Sequence, residues 1–290
     1  MTFKSKIWPY IFVLPQIAIT CIFFVLPAGE AVYESFLQQD LFGFQSLFVG
    51  LDNYIKIFSD PQYLKSIQLT FLFSFSVAFL SMSIGLLIAS QVYHLVRSLK
   101  FYRWVFVWPY AVAPAIAGVL WMFMFNPSLG VVSYFMQFFG YDWNYVLHAP
   151  QAMFLVVIAA SWKQISYNFI FFLAGLMAVP KSIIEAAALD GAGPLKRFWR
   201  VIFPMISPTT FFLFVMNIIY AYFETFGVIH TVTSGGPARA TETLVYKAWH
   251  DGFQANQFGT SSAQSVVLMF MVLCLTIIQF KYVEKKVHYK

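Results

Sequence analysis

The chain has 290 residues, of which 60% are hydrophobic and 10% are charged, and its formal net charge is +6. Soluble domains carry about 25% charged residues, so this composition excludes a soluble globular domain and indicates a polytopic membrane protein. The excess of positive charge then indicates loops that face an anionic lipid bilayer at the cytoplasmic surface, and not a protein that binds nucleic acid.

Six apolar segments are long enough to cross a bilayer, whose hydrocarbon core needs about 20 residues of helix. They lack the alternation of barrel strands, so we predict an all-α protein. A cleaved signal peptide is the alternative for the first segment, but its apolar run exceeds the usual length of about 7–15 residues. We predict a single transmembrane domain over residues 1–290, with helices near residues 8–27, 66–93, 104–125, 152–179, 206–228 and 262–280.

The lysines and arginines near the ends of these segments fall mainly on one side. By the positive-inside rule that side is cytoplasmic, and it holds both termini and the segment 181–204. The basic residues on this side are Lys4, Lys6, Arg97, Lys100, Arg103, Lys181, Lys196, Arg197, Arg200, Lys281, Lys285, Lys286 and Lys290. The other side holds Lys56, Lys65, Arg239 and Lys247.

Two features come before the cytoplasmic segment in chain order. Residues 48–58, FVGLDNYIKIF, lie in an outer loop and predict a short amphipathic helix. Pro109 and Pro114 predict a kink in the third segment, because proline frees backbone carbonyls in a membrane helix. This kink serves either helix packing or the lining of a pathway.

The segment 181–204, KSIIEAAALDGAGPLKRFWRVIFP, is polar yet reads as helix. Ser182 and Glu185 have the spacing of a capping box, which predicts the start of a first helix. Gly191 then breaks that helix, and Pro194 is well suited to begin a second one. We predict a helix-turn-helix at the membrane surface, with one basic face and one apolar face.

The chain lacks the residues of an enzyme. It has no glycine-rich phosphate loop of the GxxxxGKS type, so any ATP hydrolysis that drives it belongs to a separate subunit. The cysteines Cys21 and Cys274 lie in apolar segments, which argues against a disulfide or a metal site. The histidines are scattered without metal-ligand spacing, at His94, His148, His230, His250 and His288.

Two ionisable residues, Lys163 and Glu224, lie within predicted spans. A charge at the bilayer centre costs about 2.5–3.5 kcal/mol on insertion scales, so each is a candidate for function. A structural Lys163–Glu224 pair, or snorkelling of either side chain to an interface, is the alternative. Polar neighbours share a helix face with each of them, which predicts a substrate pathway lined by Lys163, Gln164, Tyr167, Asn217, Tyr220 and Glu224.

The segment 181–204 resembles the EAA loop of the permease subunits of bacterial ABC importers. Residues 185–187 are Glu-Ala-Ala, Gly191 follows four residues later, and Ile202 and Pro204 end the motif. In that family the loop docks on the ATP-hydrolysing subunit. The resemblance therefore implies contact with that subunit through Glu185, Ala186, Ala187, Gly191, Lys196 and Arg197.

The resemblance also implies the rest of the assembly. We expect the type I permease fold of ABC importers, in a bacterial inner membrane. The partners would be a second homologous permease subunit, two copies of an ATP-binding subunit that holds ATP and Mg, and a periplasmic or extracellular substrate-binding protein. This chain would hold no cofactor or metal of its own. In maltose-importer relatives, substrate-contacting positions lie on the two helices that flank the loop.

Further runs narrow the resemblance to the A-type permeases of sn-glycerol-3-phosphate importers. This likeness implies alternating-access transport of glycerol 3-phosphate, with glycerophosphodiesters as further candidates. A same-family permease for a neutral sugar or oligosaccharide is one alternative, and an ion-coupled secondary transporter is another. The runs are WPYAVAPA at 108–115, QAMFLVV at 151–157, SWKQISYNF at 161–169, EAAALDGAGP at 185–194, TSGGP at 233–237 and SSAQSVVLMF at 261–270.

Overall fold

The computed structural model describes residues 8–39, 46–93 and 99–283. Nearly all regular structure within these ranges is helical, which confirms the predicted all-α class. Several residues used above lie outside the described ranges, namely Lys4, Lys6, His94, Arg97, Lys285, Lys286, His288 and Lys290.

The helices are numbered here in chain order. They are α1 (Trp8–Thr20), α2 (Leu26–Glu34), α3 (Asp52–Ser59), α4 (Pro61–Tyr93), α5 (Leu99–Val107), α6 (Pro114–Met124), α7 (Val131–Phe138), α8 (Ala149–Ala178), α9 (Lys181–Leu189), α10 (Pro194–Arg197), α11 (Phe203–Met205), α12 (Ser207–Phe223), α13 (Phe226–Val232), α14 (Leu244–Trp249) and α15 (Phe258–Ile278). Among the described residues, four helices are long and apolar enough to cross a membrane, or up to six if each of two bent pairs is one span. The upper count of six equals the number of spans that the sequence predicts.

The chain divides into two compact units. One consists of Met1–Leu64 and Lys247–Phe270, and the other of Lys65–Tyr246 and Met271–Lys290. The prediction that the whole chain is one domain stays a prediction.

In the first unit, the first predicted span is longer than its apolar run suggested. A π-helical turn, Cys21–Val25, joins α1 to α2, so the helix continues past Pro27 to Glu34. Pro27 follows directly after this π-helical turn, in which the Leu26 N–H donates to the Cys21 carbonyl, and the helix continues through it. The helix therefore ends at Glu34, beyond the predicted end of the span at residue 27, and the end of the span itself stays a prediction.

A small hairpin and α3 complete this part of the first unit. Strands β1 (Leu37–Gln39) and β2 (Ser46–Phe48) pair antiparallel, with Leu37 opposite Phe48. The buried Asn53 side chain of α3 donates hydrogen bonds of 2.9 Å to the carbonyls of Ser35 and Leu37. These bonds fix α3 against the hairpin. The amphipathic helix predicted from residues 48–58 is confirmed, whereas the hairpin was not predicted.

In the second unit, the third predicted span is not one straight helix. Helices α5 and α6 meet at a bend of 100°, with a 3₁₀ turn at Trp108–Ala111 between them. The bend follows from the two prolines, since Ala113 precedes Pro114 and is extended, at ψ 142°. The kink is therefore confirmed, but it is a sharp corner and not a slight bend.

Helix α8 forms the centre of the hydrophobic core in the second unit. Its side chains Phe169, Phe172 and Leu173 are 0–1% exposed and pack in one cluster with residues of α4 and α12. This burial accounts for the mainly apolar sequence of α8, whose polar residues fall chiefly between Ser161 and Asn168, since a helix with apolar residues on most sides must be covered on most sides.

The fifth predicted span ends earlier than expected. Helix α12 stops at Phe223, and α13 begins separately at Phe226, so the helix ends before the predicted end of the span at residue 228, and the end of the span itself stays a prediction. Helix α13 packs closely on α6, because Gly227 lies against Pro114 and Ala115 while Gly118 faces Thr231. Small residues of this kind let two membrane helices approach each other.

Candidate functional site

The polar segment between α8 and α12 folds as the predicted helix-turn-helix. Gly191 has φ +75°, and its N–H donates to the Ala188 carbonyl at 3.1 Å. The Ala192 N–H donates to the Ala187 carbonyl at 3.0 Å. This pair of bonds is a Schellman motif, which ends α9 and requires a left-handed residue such as glycine. Pro194 opens α10, as the sequence predicted.

The start of α9 differs from the prediction. The helix begins at Lys181 with Pro180 in the N-cap position, and no side chain caps it. The predicted capping box of Ser182 and Glu185 is therefore wrong. The proline ring holds φ of Pro180 at −62°, and its ψ of 127° gives the extended backbone that is typical of an N-cap residue. Ser182 therefore lies in the first turn of the helix.

The turn between α9 and α10 carries an exposed apolar tip. Leu189 is 90% exposed and Leu195 is 74% exposed, although both are leucines. On the other side of the segment, Ile184 and Phe198 pack against the core of the second unit. Of the predicted coupling residues, four are exposed and two are partly buried: Glu185, Ala186, Gly191 and Lys196, then Ala187 and Arg197.

Lys163 on α8 is buried but has no counter-ion. The residue is 8% exposed, and no carboxylate of a described residue lies within 4.0 Å of its Nζ atom. Glu224 is exposed at the end of α12, and its charge acts on Lys163, Tyr167 and Tyr220 from a greater distance. The predicted side chains of α8 and α12 thus converge, without a Lys163–Glu224 ion pair.

Asn217 belongs to a buried hydrogen-bond network that joins three helices. It exchanges bonds of 2.8 and 3.0 Å with Asn168 of α8 and accepts one of 2.8 Å from Ser81 of α4. All three residues are fully buried. Tyr220 donates at 3.2 Å to the Ala160 carbonyl. Both residues therefore tie α12 to its neighbours, and their predicted place on a pathway stays a prediction.

An aromatic row extends the face of α8 that carries Lys163. Tyr167 and Phe171 follow at intervals of four residues, with ring centroids 4.7 Å apart. Tyr110, in the turn between α5 and α6, stacks on Tyr167 at 5.6 Å and is 49% exposed. Phe212 covers Phe171 at 5.2 Å. Sequence reasoning missed Tyr110, although its place between Pro109 and Pro114 marked it as part of a helix break.

A second buried lysine lies in the first unit, where the sequence predicted no site. Lys247 is 4% exposed, and its Nζ atom lies 3.4 Å from Asp60 and 2.9 Å from Asp251. Asp251 also accepts a 2.7 Å hydrogen bond from Gln264. Burial alone would raise the pKa of Asp251, but the bonds from Gln264 and Lys247 outweigh it and lower that pKa below its usual value.

Comparison with known proteins finds similarity along the whole chain. Residues 71–289 match the family described as binding-protein-dependent transport system inner membrane component. The chain is 54% identical over 289 residues to the sn-glycerol-3-phosphate transport system permease protein UgpA of Brucella suis, which covers 100% of this chain and 99% of that protein. It is 52% identical over 288 residues to the UgpA of Escherichia coli (strain UTI89 / UPEC), with coverage of 99% and 98%.

A solved structure shows a similar fold. A chain of a bacterial alginate ABC transporter, in complex with an alginate pentasaccharide-bound periplasmic protein, superposes with a TM-score of 0.80. The match covers 94% of this chain and 92% of that one at 20% sequence identity. A second structure of a bacterial ABC transporter that imports alginate gives a TM-score of 0.78 at 21% identity.

Proposed function

The chain belongs to the family of binding-protein-dependent transport system inner membrane components, and from this premise we propose that it is the permease subunit of an ATP-driven importer of sn-glycerol 3-phosphate. The observation that carries the proposal is the identity of more than half of the chain, end to end, with permeases named for that substrate. Glycerophosphodiesters share the phosphate and the glycerol and are further candidates.

The surroundings of Lys163 support an anionic substrate. Burial of an ammonium group without a counter-ion costs free energy. A substrate phosphate next to the Lys163 Nζ atom would act as that counter-ion and would be held by a charge-assisted hydrogen bond. Gln164 and Tyr167 lie next to Lys163 on α8 and can donate further hydrogen bonds. Glu224 would repel a phosphate that came too close, which confines the anion to the Lys163 side.

The helix-turn-helix of α9 and α10 supports coupling to a separate ATP-binding subunit. Its apolar tip, Leu189 and Leu195, is bordered by the charged side chains of Glu185 and Lys196. An apolar centre with a polar rim is typical of a protein interface. ATP and Mg would be bound by that subunit, and its closure would move α9 and α10. The other face of the segment packs on the core of the second unit, so α8 and α12 would move with it. The pathway would then switch between inward-facing and outward-facing states.

The remaining partners and the orientation are part of the same proposal. A second homologous permease subunit would complete the pathway, two ATP-binding subunits would drive it, and a substrate-binding protein would deliver the substrate. The solved alginate transporter, which is in complex with a periplasmic protein, supports the binding protein among these partners. The charge distribution supports cytoplasmic termini and a cytoplasmic position for the segment 181–204.

Reconstitution of the complete complex in proteoliposomes tests the substrate. We expect glycerol 3-phosphate, presented by the binding protein, to stimulate ATP hydrolysis and its own uptake, whereas maltose does neither. Stimulation by maltose alone would identify a neutral-sugar permease instead. Uptake by this chain alone, under an ion gradient and without ATP, would identify a secondary transporter.

Two variants at one position test the coupling role. Gly191→Val should abolish uptake while the protein still reaches the membrane, because a β-branched residue is strained at φ +75°. Gly191→Asn should retain uptake, since asparagine tolerates the left-handed region and nothing lies within 4 Å of the added Cβ. Equal uptake by the two variants would contradict the coupling role of this turn.

A further inference from the structure

The connection between α6 and α8 presents an uncharged aromatic face that the transport function does not use. On α7, residues at spacings of three and four form one stripe: Val131, Tyr134, Phe135 and Phe138 are 65%, 68%, 57% and 77% exposed. A stripe of this kind normally lies against a core. Here it faces outward, and Leu129 and Phe139 at its two ends are both 82% exposed.

This outward orientation is fixed by hydrogen bonds and is not the result of a loose loop. The carbonyl of Phe125, at the end of α6, accepts bonds from the Ser133 hydroxyl at 2.8 Å and the Trp143 indole N–H at 2.9 Å. Both donors are buried, at 0% and 3% exposure. Ser133 lies on the side of α7 opposite the aromatic stripe. These bonds therefore hold the polar side of α7 against the protein and turn the apolar side away from it.

The first turn of α8 holds the rest of the connection. Gln151 donates to the Asp142 carbonyl at 3.0 Å and accepts from the Asn144 N–H at 2.6 Å. Helix α8 has 30 residues and is about 45 Å long, which exceeds a hydrocarbon core of about 30 Å. If α8 crosses the membrane, both of its ends therefore reach the membrane–water boundary, and a connection tied to its first turn lies at or beyond that level.

The composition of the connection identifies what covers the stripe. Residues 126–148 contain seven aromatic residues, no lysine, no arginine and no glutamate, and Asp142 is their one acidic residue. Tyrosine and tryptophan are enriched where a membrane protein meets the headgroup region. The apolar surface is also continuous with the end of α6, where Phe123 is 59% exposed and Met124 is 45% exposed.

We propose that α7 is an interfacial helix, which lies in the plane of the bilayer with the stripe Val131, Tyr134, Phe135 and Phe138 in the boundary between headgroups and acyl chains. Its partner is lipid, bound by burial of apolar surface and not by charge, because the connection carries no cation. The bonds to Phe125 then hold the end of α6 at a constant depth. This inference does not depend on the identity of the substrate.

Spin labels at adjacent positions test the proposal in the complete transporter. In a background where Cys21 and Cys274 are replaced by serine, one cysteine is placed at Phe138→Cys or, as the matched control, at Gln137→Cys. Each variant is labelled with a nitroxide and reconstituted with its partner subunits in phosphatidylcholine vesicles. We expect the label at 138 to be accessible to oxygen and protected from a water-soluble nickel chelate. The label at 137, an exposed position about 100° around α7 from 138, should be several-fold more accessible to the chelate.

Each other outcome overturns the proposal. A label at 138 that is protected from both oxygen and chelate would show that protein covers the stripe, as a second permease subunit would. Accessibility to the chelate equal to that at 137 would show that the stripe faces water. Replacement of half of the phosphatidylcholine by phosphatidylglycerol should leave the depth of the label unchanged, and a shift would show that charge contributes to binding.

Discussion

Two lysines are buried in the described part of the chain, and their surroundings differ in one respect. Lys247 lies between two carboxylates, whereas Lys163 has none within 4.0 Å of its Nζ atom. Their burial is similar, at 4% and 8% exposure. Burial alone therefore does not separate a structural charge from a functional one, but the presence of a counter-ion does.

The energetic consequences of the two arrangements are opposite. Removal of one partner from a buried ion pair leaves a charge in a poorly solvated place, which is strongly destabilising. Removal of an unpaired buried cation relieves a cost that the fold already carries. We therefore interpret Lys247 as a residue that stabilises the first unit. We interpret Lys163 as a residue that binds a ligand.

The largest predicted effect is that of Lys247→Met. This change leaves Asp251 and Asp60 without their cation, and we expect it to destabilise the protein by about 3–5 kcal/mol. Thermal unfolding of the purified chain in detergent measures the loss. The matched control is Lys163→Met, the same exchange at similar burial, which should leave the midpoint unchanged or raise it. Equal losses in the two variants would remove the distinction between the two lysines.

The next largest predicted effect concerns the role of Lys163 in substrate binding. Lys163→Met should raise the glycerol 3-phosphate concentration needed for half-maximal stimulation of ATP hydrolysis by about tenfold or more, because a hydrogen bond to a charged group contributes about 1.5–3 kcal/mol. The ATP-binding subunits that co-purify should be as abundant as with the unaltered chain. An unchanged half-maximal concentration would place Lys163 outside the substrate site.

A smaller effect follows from the pKa of Asp251, which is lowered in the folded protein. A lowered pKa contributes stability at pH values above the unfolded pKa of about 3.9, and this contribution is lost as the pH falls through the folded value. We expect the contribution of Asp251 to the unfolding midpoint to be constant near pH 7 and to be lost as the pH falls below about 4. Asp251→Asn keeps an acceptor for Gln264 but carries no charge, so it should abolish this part of the acid dependence. An identical acid profile in the variant would show that Asp251 does not titrate in this range.

The smallest effect is expected where the buried polar group is neutral. Asn217→Ala removes its bonds with Asn168 and Ser81 and should cost about 0.6–1.7 kcal/mol, as for other hydrogen bonds between membrane helices. Ser81→Ala removes one of these bonds and should cost less. If Asn217→Ala were as destabilising as Lys247→Met, charge would not be the reason for the difference between the buried sites.

Local chemistry explains which features the sequence could predict. Gly191 and Pro194 fix the turn of the helix-turn-helix by their own backbone preferences, and Pro109 and Pro114 fix the break in the third span. The whole Lys247 site could not be read in this way, because only Asp251 is local, four residues after the lysine, whereas Asp60 and Gln264 come from other stretches of the chain. Lys163 was found because a charge in an apolar run is conspicuous in itself. The capping box at Ser182 failed because Pro180 took the N-cap position, two residues earlier.

The corner between α5 and α6 has a consequence for packing. Its two prolines lack N–H groups, so an α-helix that continued through residues 108–114 would lack two of its backbone hydrogen bonds. The corner therefore follows from the covalent structure of these two residues. Tyr110 lies at this corner, so its ring contact with Tyr167 joins the corner to α8.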